Sequence, residues 1–367
     1  MEADGAASAA AGGDRAAAAP VGTPLSGRRA SDYAQLARRV RAAGLLARRR
    51  GYYGARLGLL VGLWGAGWVA FALLGTSWWE LAVAGWLAVV FAQIGFLGHD
   101  AGHQAVFTTR RANDLLGLVL ANLMIGLSYD WWVDKHNRHH AHPNQVGSDP
   151  DITGAGVAFT PAQVAARHGL GRWIARHQAG LFFPMLLLEG LNLHISGIVA
   201  LLGERRNLRS PAWWRESVLL TVHVGGYLAA VFLVLPPGHA VAFVAVHQGL
   251  LGVYLGCAFA PSHKGMPLVQ PGEELDFLRR QVLTSRNIRG GPWLELTMGG
   301  LNYQIEHHLF PRMPSPTLRR AAPLVRAFCA SRGLTYHEST LGGSRTQVMR
   351  YLRDVGRGRW HDPLGGR

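Results

Sequence analysis

Cysteine is nearly absent from this sequence: Cys257 and Cys329 are the two among 367 residues. That excludes a disulfide framework and a cysteine-rich metal motif. Cys257, inside a long apolar run, reads as a small core residue. Charge is scarce as well. Asp, Glu, Lys and Arg make up 16% of the chain against 49% hydrophobic residues, which argues against the two or three soluble domains that length alone allows. Lysine and arginine are missing altogether between Arg56 and Arg110 and again between Arg215 and Lys264. The start, Met1 to about Ser26, is rich in Ala and Gly and reads as disordered. It lacks the basic-then-apolar order of a signal peptide.

The stretches free of basic residues are where the long apolar runs lie. A helix needs about 20 apolar residues to cross a bilayer. Spans are expected over Leu57–Thr76 and Trp79–Gly98, and over Val218–Leu235 and Ala240–Ala260, each pair joined by a turn too short for a domain. The expectation is an all-α membrane protein with four transmembrane helices arranged as two hairpins. Positive charge crowds the remainder, including Arg38, Arg39, Arg41, Arg48, Arg49 and Arg50 ahead of the first hairpin. The positive-inside rule then puts both termini and the long middle segment in the cytoplasm. The net charge of +15 suits the anionic lipids of that leaflet. No nucleic-acid-binding motif accompanies it, so no nucleic-acid partner is expected.

Two further apolar stretches read differently. Leu115–Leu127 is too short to cross and reads as buried or interfacial. Leu181–Leu202 is long enough but carries Glu189, Asn192 and His194. As a full span it would put everything after it on the opposite face, so it is expected to lie at the interface or dip in without crossing.

What the sequence has in abundance is clustered histidine. The clusters are His99 with His103, then His136, His139 and His140, then His307 and His308 three residues after Gln304; His263 stands alone between the last two. Residues at i, i+3 and i+4 share one face of a helix, so each cluster offers two or three imidazoles to a common point. Three such arrangements are what a polynuclear metal site needs, and helical ligand pairs also build the di-iron centres of bundle proteins. His99 and His103 follow directly on the second span, Trp131 and Trp132 before His136 suit a membrane interface, and His263 ends the fourth span. All four groups can lie at one membrane surface, in a cytoplasmic helical cap.

Imidazole suits zinc, copper and iron, so ligand type leaves the metal open. Eight histidines exceed one tetrahedral zinc and match two metals with about four imidazoles each. Gln304 stands where a histidine would complete the pattern, as a weak oxygen ligand or the holder of a bound water. Asp100, Asn137, Asp149, Asp151, Asn302 and Glu306 are candidates to accept the other ring N–H of a ligating histidine. His142, His168, His177, His194, His223, His239, His247, His337 and His361 read as ordinary structural or surface residues.

With these motifs the chain resembles the integral-membrane fatty acid desaturases. The boxes His99-Asp-Ala-Gly-His103, His136-Asn-Arg-His139-His140 and Gln304-Ile-Glu-His307-His308, the last followed by Leu-Phe-Pro, match that family's three histidine motifs in order, spacing and position relative to the hairpins. The resemblance covers roughly Tyr33 to Gly356, and Gln304 is similar to the subgroup holding front-end acyl-lipid and bacterial acyl desaturases. It implies a di-iron site, with His263 as the extra ligand between the second and third boxes. The organisation expected is a tail over 1–30, a desaturase domain over 31–356 and a tail over 357–367, with a bacterial cell membrane as the expected location. No haem-binding His-Pro-Gly-Gly motif of a fused cytochrome b5 domain is present, so electrons are expected from a separate ferredoxin or similar protein with its NAD(P)H reductase. Arg110, Arg111, Arg138, Arg312 and Arg319 are basic residues that could dock an acidic donor, or serve only lipid headgroups and solvent.

The reaction the resemblance implies is oxygen-dependent insertion of a cis double bond into a fatty acyl chain carried by coenzyme A, a carrier protein or a membrane lipid. An unactivated methylene has no acidic proton, so the hard step belongs to two irons and dioxygen while the protein supplies ligation and positioning. A hydroxylase or ketolase acting on alkane, sterol or carotenoid shares this scaffold. A non-enzymatic metal-binding membrane protein is the reading from another class, and it would need ionisable residues lining the spans.

Overall fold

The computed structural model describes residues 25–153, 156–203 and 210–359. The expected tail over 1–30 lies outside the described residues as far as residue 24, and the tail over 357–367 from residue 360. The chain opens with α1 (Leu25–Ala42), followed by α2 (Arg50–Leu74) and α3 (Glu80–Gly102). Next come α4 (Arg110–Leu118), a π-helical segment (Val119–Ile125) and α5 (Tyr129–Ala141). The middle holds α6 (Pro161–Ala165), α7 (Gly169–Leu186) and α8 (Glu189–Leu202). Two long helices, α9 (Pro211–Val234) and α10 (Pro237–His263), precede α11 (Phe277–Leu283), β1 (Asn287–Arg289) and α12 (Pro292–Thr297). The chain closes with α13 (Gln304–Leu309), α14 (Ser315–Ser331), β2 (Glu338–Thr340) and α15 (Leu341–Gly356).

Four helices, α2, α3, α9 and α10, are long and apolar enough to cross a membrane, with mean hydropathy of 1.6 to 2.0. They overlap the four expected spans, reaching beyond them at Arg50, Gly102, Pro211, Pro237 and His263 and stopping short of Thr76, Trp79 and Leu235. Two bent pairs raise the count to six if each is one span: Arg110–Ile125 with Tyr129–Ala141, bent by 115°, and Gly169–Leu186 with Glu189–Leu202, bent by 85°. Backbone polar groups in lipid must be satisfied within the protein, which is why these apolar runs are helical. Pro211 and Pro237 each open a helix in the first turn, where a missing N–H costs nothing. Leu59, Val69, Leu73, Val222 and Leu233 face outward, as lipid-facing residues would.

α3 is the central element. Val83, Leu87, Phe91, Ile94 and Leu97 are buried along it, packed among α2, α10 and the π-helical segment. Both bends are pinned. Glu216 on α9 accepts from Asn122 Nδ2, Ser128 Oγ and the Asp130 N–H at 3.0, 2.8 and 3.2 Å, fixing the turn that leads into α5. At the second bend a Cβ on Gly252 of α10 would lie 2.3 Å from Leu186 O and 2.6 Å from Gly190 N, so the broken helix meets α10 backbone to backbone.

A second core lies beyond the long helices. Leu36 and Val40 of α1, Leu278 and Val282 of α11, Ile305 and Leu309 of α13, and Leu318, Val325 and Phe328 of α14 pack together. The expectation of an all-α chain needs one amendment here. β1 pairs in parallel with β2, Asn287 opposite Glu338. The pairing leaves the Asn287 side chain to accept the Ile305 N–H at 2.9 Å, which anchors the short α13.

Candidate metal centre

Four elements deliver the clustered histidines. His99 lies in the last turn of α3 and His103 is its C-cap. α5, opened by Ser128 Oγ accepting the Trp131 N–H, carries His136, His139 and His140. His263 is the last residue of α10, and α13 carries His307 and His308. His136 is half-buried and the other seven are buried.

The eight form two adjoining groups. His99, His103, His136 and His307 each place a ring nitrogen within 4.8 Å of the others, and His139, His263 and His308 do the same. His140 stands between the groups. Its Nε2 is 3.1 Å from Nε2 of His136 and 3.1 Å from Nε2 of His307, and its ring stacks on His308 with centroids 4.2 Å apart. Burial and the neighbouring imidazoles hold His103, His136, His140, His307 and His308 well below the usual imidazole range. These rings are neutral, with lone pairs available.

In the second group every Nδ1 is already committed. His139 Nδ1 lies 3.0 Å from both Asp149 carboxylate oxygens, His263 Nδ1 lies 3.2 Å from Thr284 O, and His308 Nδ1 lies 2.9 Å from Gln281 Oε1. A neutral imidazole has one N–H, so donating it at Nδ1 leaves Nε2 a bare acceptor. His139 Nε2 and His263 Nε2 face each other at 3.4 Å, and His308 Nε2 is buried without a hydrogen-bond partner among the described residues. Nitrogen lone pairs converge here, with the Gln304 amide 2.9 Å from His263 Nε2, and a cation would join them. The donor set fits a metal ion, and its nitrogen-only character suits a transition metal rather than calcium or magnesium.

The groups that orient these rings are only partly those expected. Asp149 and Asp151 contact His139, at 3.0 and 3.5 Å. Asp100 approaches His99 Nδ1 at 3.5 Å, and its other oxygen accepts from Tyr53 Oη at 2.9 Å and Ser315 Oγ at 2.6 Å. Glu306 and Asn302 turn elsewhere: Glu306 accepts from Asn287 and Tyr336, and Asn302 donates to Ile288 O. Burial pushes the Glu306 carboxyl up to about 7. Asn137 makes no bond to a ring nitrogen among the described residues. Sequence reasoning missed Gln281, the Thr284 carbonyl and Asn144. Asn144, in the left-handed region at φ 54°, donates its N–H to Asp149 at 2.7 Å and its side-chain amide to His263 O at 3.1 Å. No spacing rule marks any of the three.

Gln304 is buried with its Nε2 2.9 Å from His263 Nε2, at the edge of the second group. His142 stays outside the cluster, bonded to Gln145 and Arg280, and His194 contacts the Gly190 and Ile125 carbonyls. Of the basic residues considered for docking, Arg110, Arg138 and Arg319 pair with Asp114, Asp134 and Glu295.

The known proteins similar to this chain point to one family. The family model described as fatty acid desaturase matches residues 76–340. An acyl-lipid (9-3)-desaturase of Physcomitrium patens is 33% identical over 286 residues, covering 75% of this chain and 53% of that protein. A Delta(8)-fatty-acid desaturase of Helianthus annuus is 27% identical over 299 residues, covering 76% and 63%. Fatty acid desaturase 3 of Bos taurus is 27% identical over 331 residues, covering 89% and 73%. The chain thus spans between half and two thirds of the first two relatives. With the match running from the turn before α3 through β2 and enclosing every clustered histidine, the chain belongs to the fatty acid desaturase family.

Proposed function

We propose that this protein is a fatty acyl desaturase, an oxidoreductase that uses dioxygen to introduce a cis double bond into an acyl chain. The observation that carries the reading is the pair of adjoining histidine groups linked by His140 in a chain of this family. Two iron ions fit the donor set. His99, His103, His136 and His307 would hold one, His139, His263 and His308 the other, with His140 between them and Gln304 as a weak or water-mediated ligand. Iron bound there would supply the reduction of dioxygen to an oxidant able to take hydrogen from an unactivated methylene.

The chain's own residues do the rest. Asp149, Gln281 and the Thr284 carbonyl hold the Nδ1 protons and so keep the Nε2 lone pairs turned inward. Burial of the cluster keeps bulk water away from a reactive oxidant. In the overall change two adjacent methylenes each give up one hydrogen. With two electrons and two protons from a donor, dioxygen leaves as two waters.

The electrons come from a separate ferredoxin or similar protein with its NAD(P)H reductase. Arg111 and Arg312, both exposed and without an ion-pair partner among the described residues, are the free members of the docking set. The acyl-lipid wording of the Physcomitrium patens relative favours a membrane lipid over acyl-CoA or acyl carrier protein as substrate. The four long helices form two hairpins, and both termini and the cluster face the cytoplasm. The bent Gly169–Leu202 pair dips in without crossing, and residues 31–356 form one desaturase unit. That α3 and α10 both end in clustered histidines supports one shared face.

The test is the fatty acid profile of a bacterial host expressing this chain with a ferredoxin and its reductase, against His307→Ala. A new unsaturated acid made only by the unmutated chain is expected. A hydroxylated product would move the protein to the hydroxylases on the same scaffold, and well-folded protein without iron would overturn the reading.

A further inference from the structure

Away from the histidines, α6, α7 and α15 enclose an open groove of about 1030 Å³. It exists because α15 crosses α7 very closely. A Cβ on Gly356 would lie 2.8 Å from Ala175 O and 2.9 Å from Arg176 O, so a glycine is required at the crossing. Arg172 and Arg176 line the groove from α7, and Arg353, Arg357 and Arg359 line it from α15 and the residues just after it. All five are exposed, and none forms an ion pair among the described residues. Among the described residues, no Asp or Glu lines the groove. Five like charges around one concavity repel, and an external anion relieves that repulsion. Guanidinium forks match phosphate oxygens two at a time.

The surroundings say which anion. Trp173 lines the groove and is 52% exposed, and Leu170, one turn away, is 72% exposed. Phe183 further along α7 and Leu187 just past its end are exposed too. Phe182 and Phe183 also border an apolar cleft, with Cys257 of α10 and Val348 of α15, along the same seam. Aromatic and aliphatic side chains beside arginines are the pattern of a membrane–water interface. A soluble anion would use the arginines and ignore this apolar track, whereas a phospholipid uses both.

We propose that this groove binds the phosphate headgroup of an anionic membrane phospholipid, whose acyl chains follow α7 toward Phe183. The site is separate from the histidine cluster and stands whether or not the catalytic reading does.

The test titrates the full chain, in neutral detergent, with short-chain phosphatidylglycerol, short-chain phosphatidylcholine and inorganic phosphate, reading bound lipid by native mass spectrometry. Phosphatidylglycerol should bind about tenfold or more tightly than phosphatidylcholine. The variant with Arg172→Gln, Arg176→Gln, Arg353→Gln and Arg357→Gln should lose that preference. Its thermal midpoint should be unchanged, and Arg320→Gln, exposed on α14 and outside the groove lining, should bind as the parent does. If the fourfold variant misfolds, Arg357→Gln with Arg359→Gln, beyond the last turn of α15, carries the comparison and should weaken phosphatidylglycerol alone. Undiminished phosphatidylglycerol binding in the folded variants, or equal binding of the two lipids, would overturn the proposal. So would inorganic phosphate displacing the lipid at equal concentration, which would mark a site for soluble anions.

Discussion

His139 and His263 approach nitrogen to nitrogen at 3.4 Å while each commits its other nitrogen to an acceptor, Asp149 in one case and Thr284 O in the other. The two rings come from α5 and α10, so nothing local to either helix requires them to meet. A cation held between them would gather both lone pairs, which ties metal binding to the joining of these helices.

Removing one donor from the second group should leave the first intact. His308→Ala is expected to lose about half of the bound iron, as measured by plasma emission on purified protein. Full iron content in that variant would show that His308 is not a ligand.

Asp149→Asn and Gln281→Leu disturb ring orientation without removing a donor. Each should weaken metal affinity by roughly 10- to 100-fold in competition with a chelator. Gln281→Leu also strips the amide donor from His140 O, so it should be the more damaging to folding. Unchanged affinity in both variants would mean that ring orientation is set elsewhere.

The neutral imidazoles give the metal-free protein a pH-dependent stability. Burial holds the folded-state values of His103, His136, His140, His307 and His308 well down. The unfolded chain takes up these protons near pH ~6.5. Below that pH the unfolded state binds more protons than the folded one. The stability is therefore fully present above it and is lost as pH falls toward the folded values. The thermal midpoint of metal-free protein should drop between about pH 7.5 and about pH 5. A flat profile would contradict the neutral, buried state of these rings.

Glu216 concentrates three accepted hydrogen bonds at the bend into α5. Glu216→Ala leaves these donors unpaired, those of Asn122 and Ser128 buried, and should cost about 2–3 kcal/mol in thermal unfolding, with a smaller loss for Glu216→Gln. At the other bend, Gly252→Val meets Leu186 O head-on and should destabilise by at least about 1–3 kcal/mol.

What was legible in the sequence was whatever local periodicity encodes. The spacing of His136, His139 and His140 and the apolar runs of α2, α3, α9 and α10 are properties of single helices, and each is found where its pattern placed it. The unread parts are tertiary. Gln281 reaches His308 across 27 residues and Glu216 reaches Ser128 across 88, and neither carries a spacing signature. The β1–β2 ladder was missed because three-residue strands are too short to show alternation. Glu306 sat beside two clustered histidines in sequence, yet helical geometry points it away, toward Asn287 and Tyr336.

α3 and α10 pack side by side, and the chain delivers His99 from the end of one and His263 from the end of the other. Both are long and apolar enough to cross a bilayer, and such helices answer a change in hydrocarbon thickness by tilting. A tilt of one against the other moves the two histidine groups relative to each other. Bilayer thickness depends on the length and unsaturation of the surrounding acyl chains, so the spacing of the groups is mechanically exposed to the composition of the lipid around it.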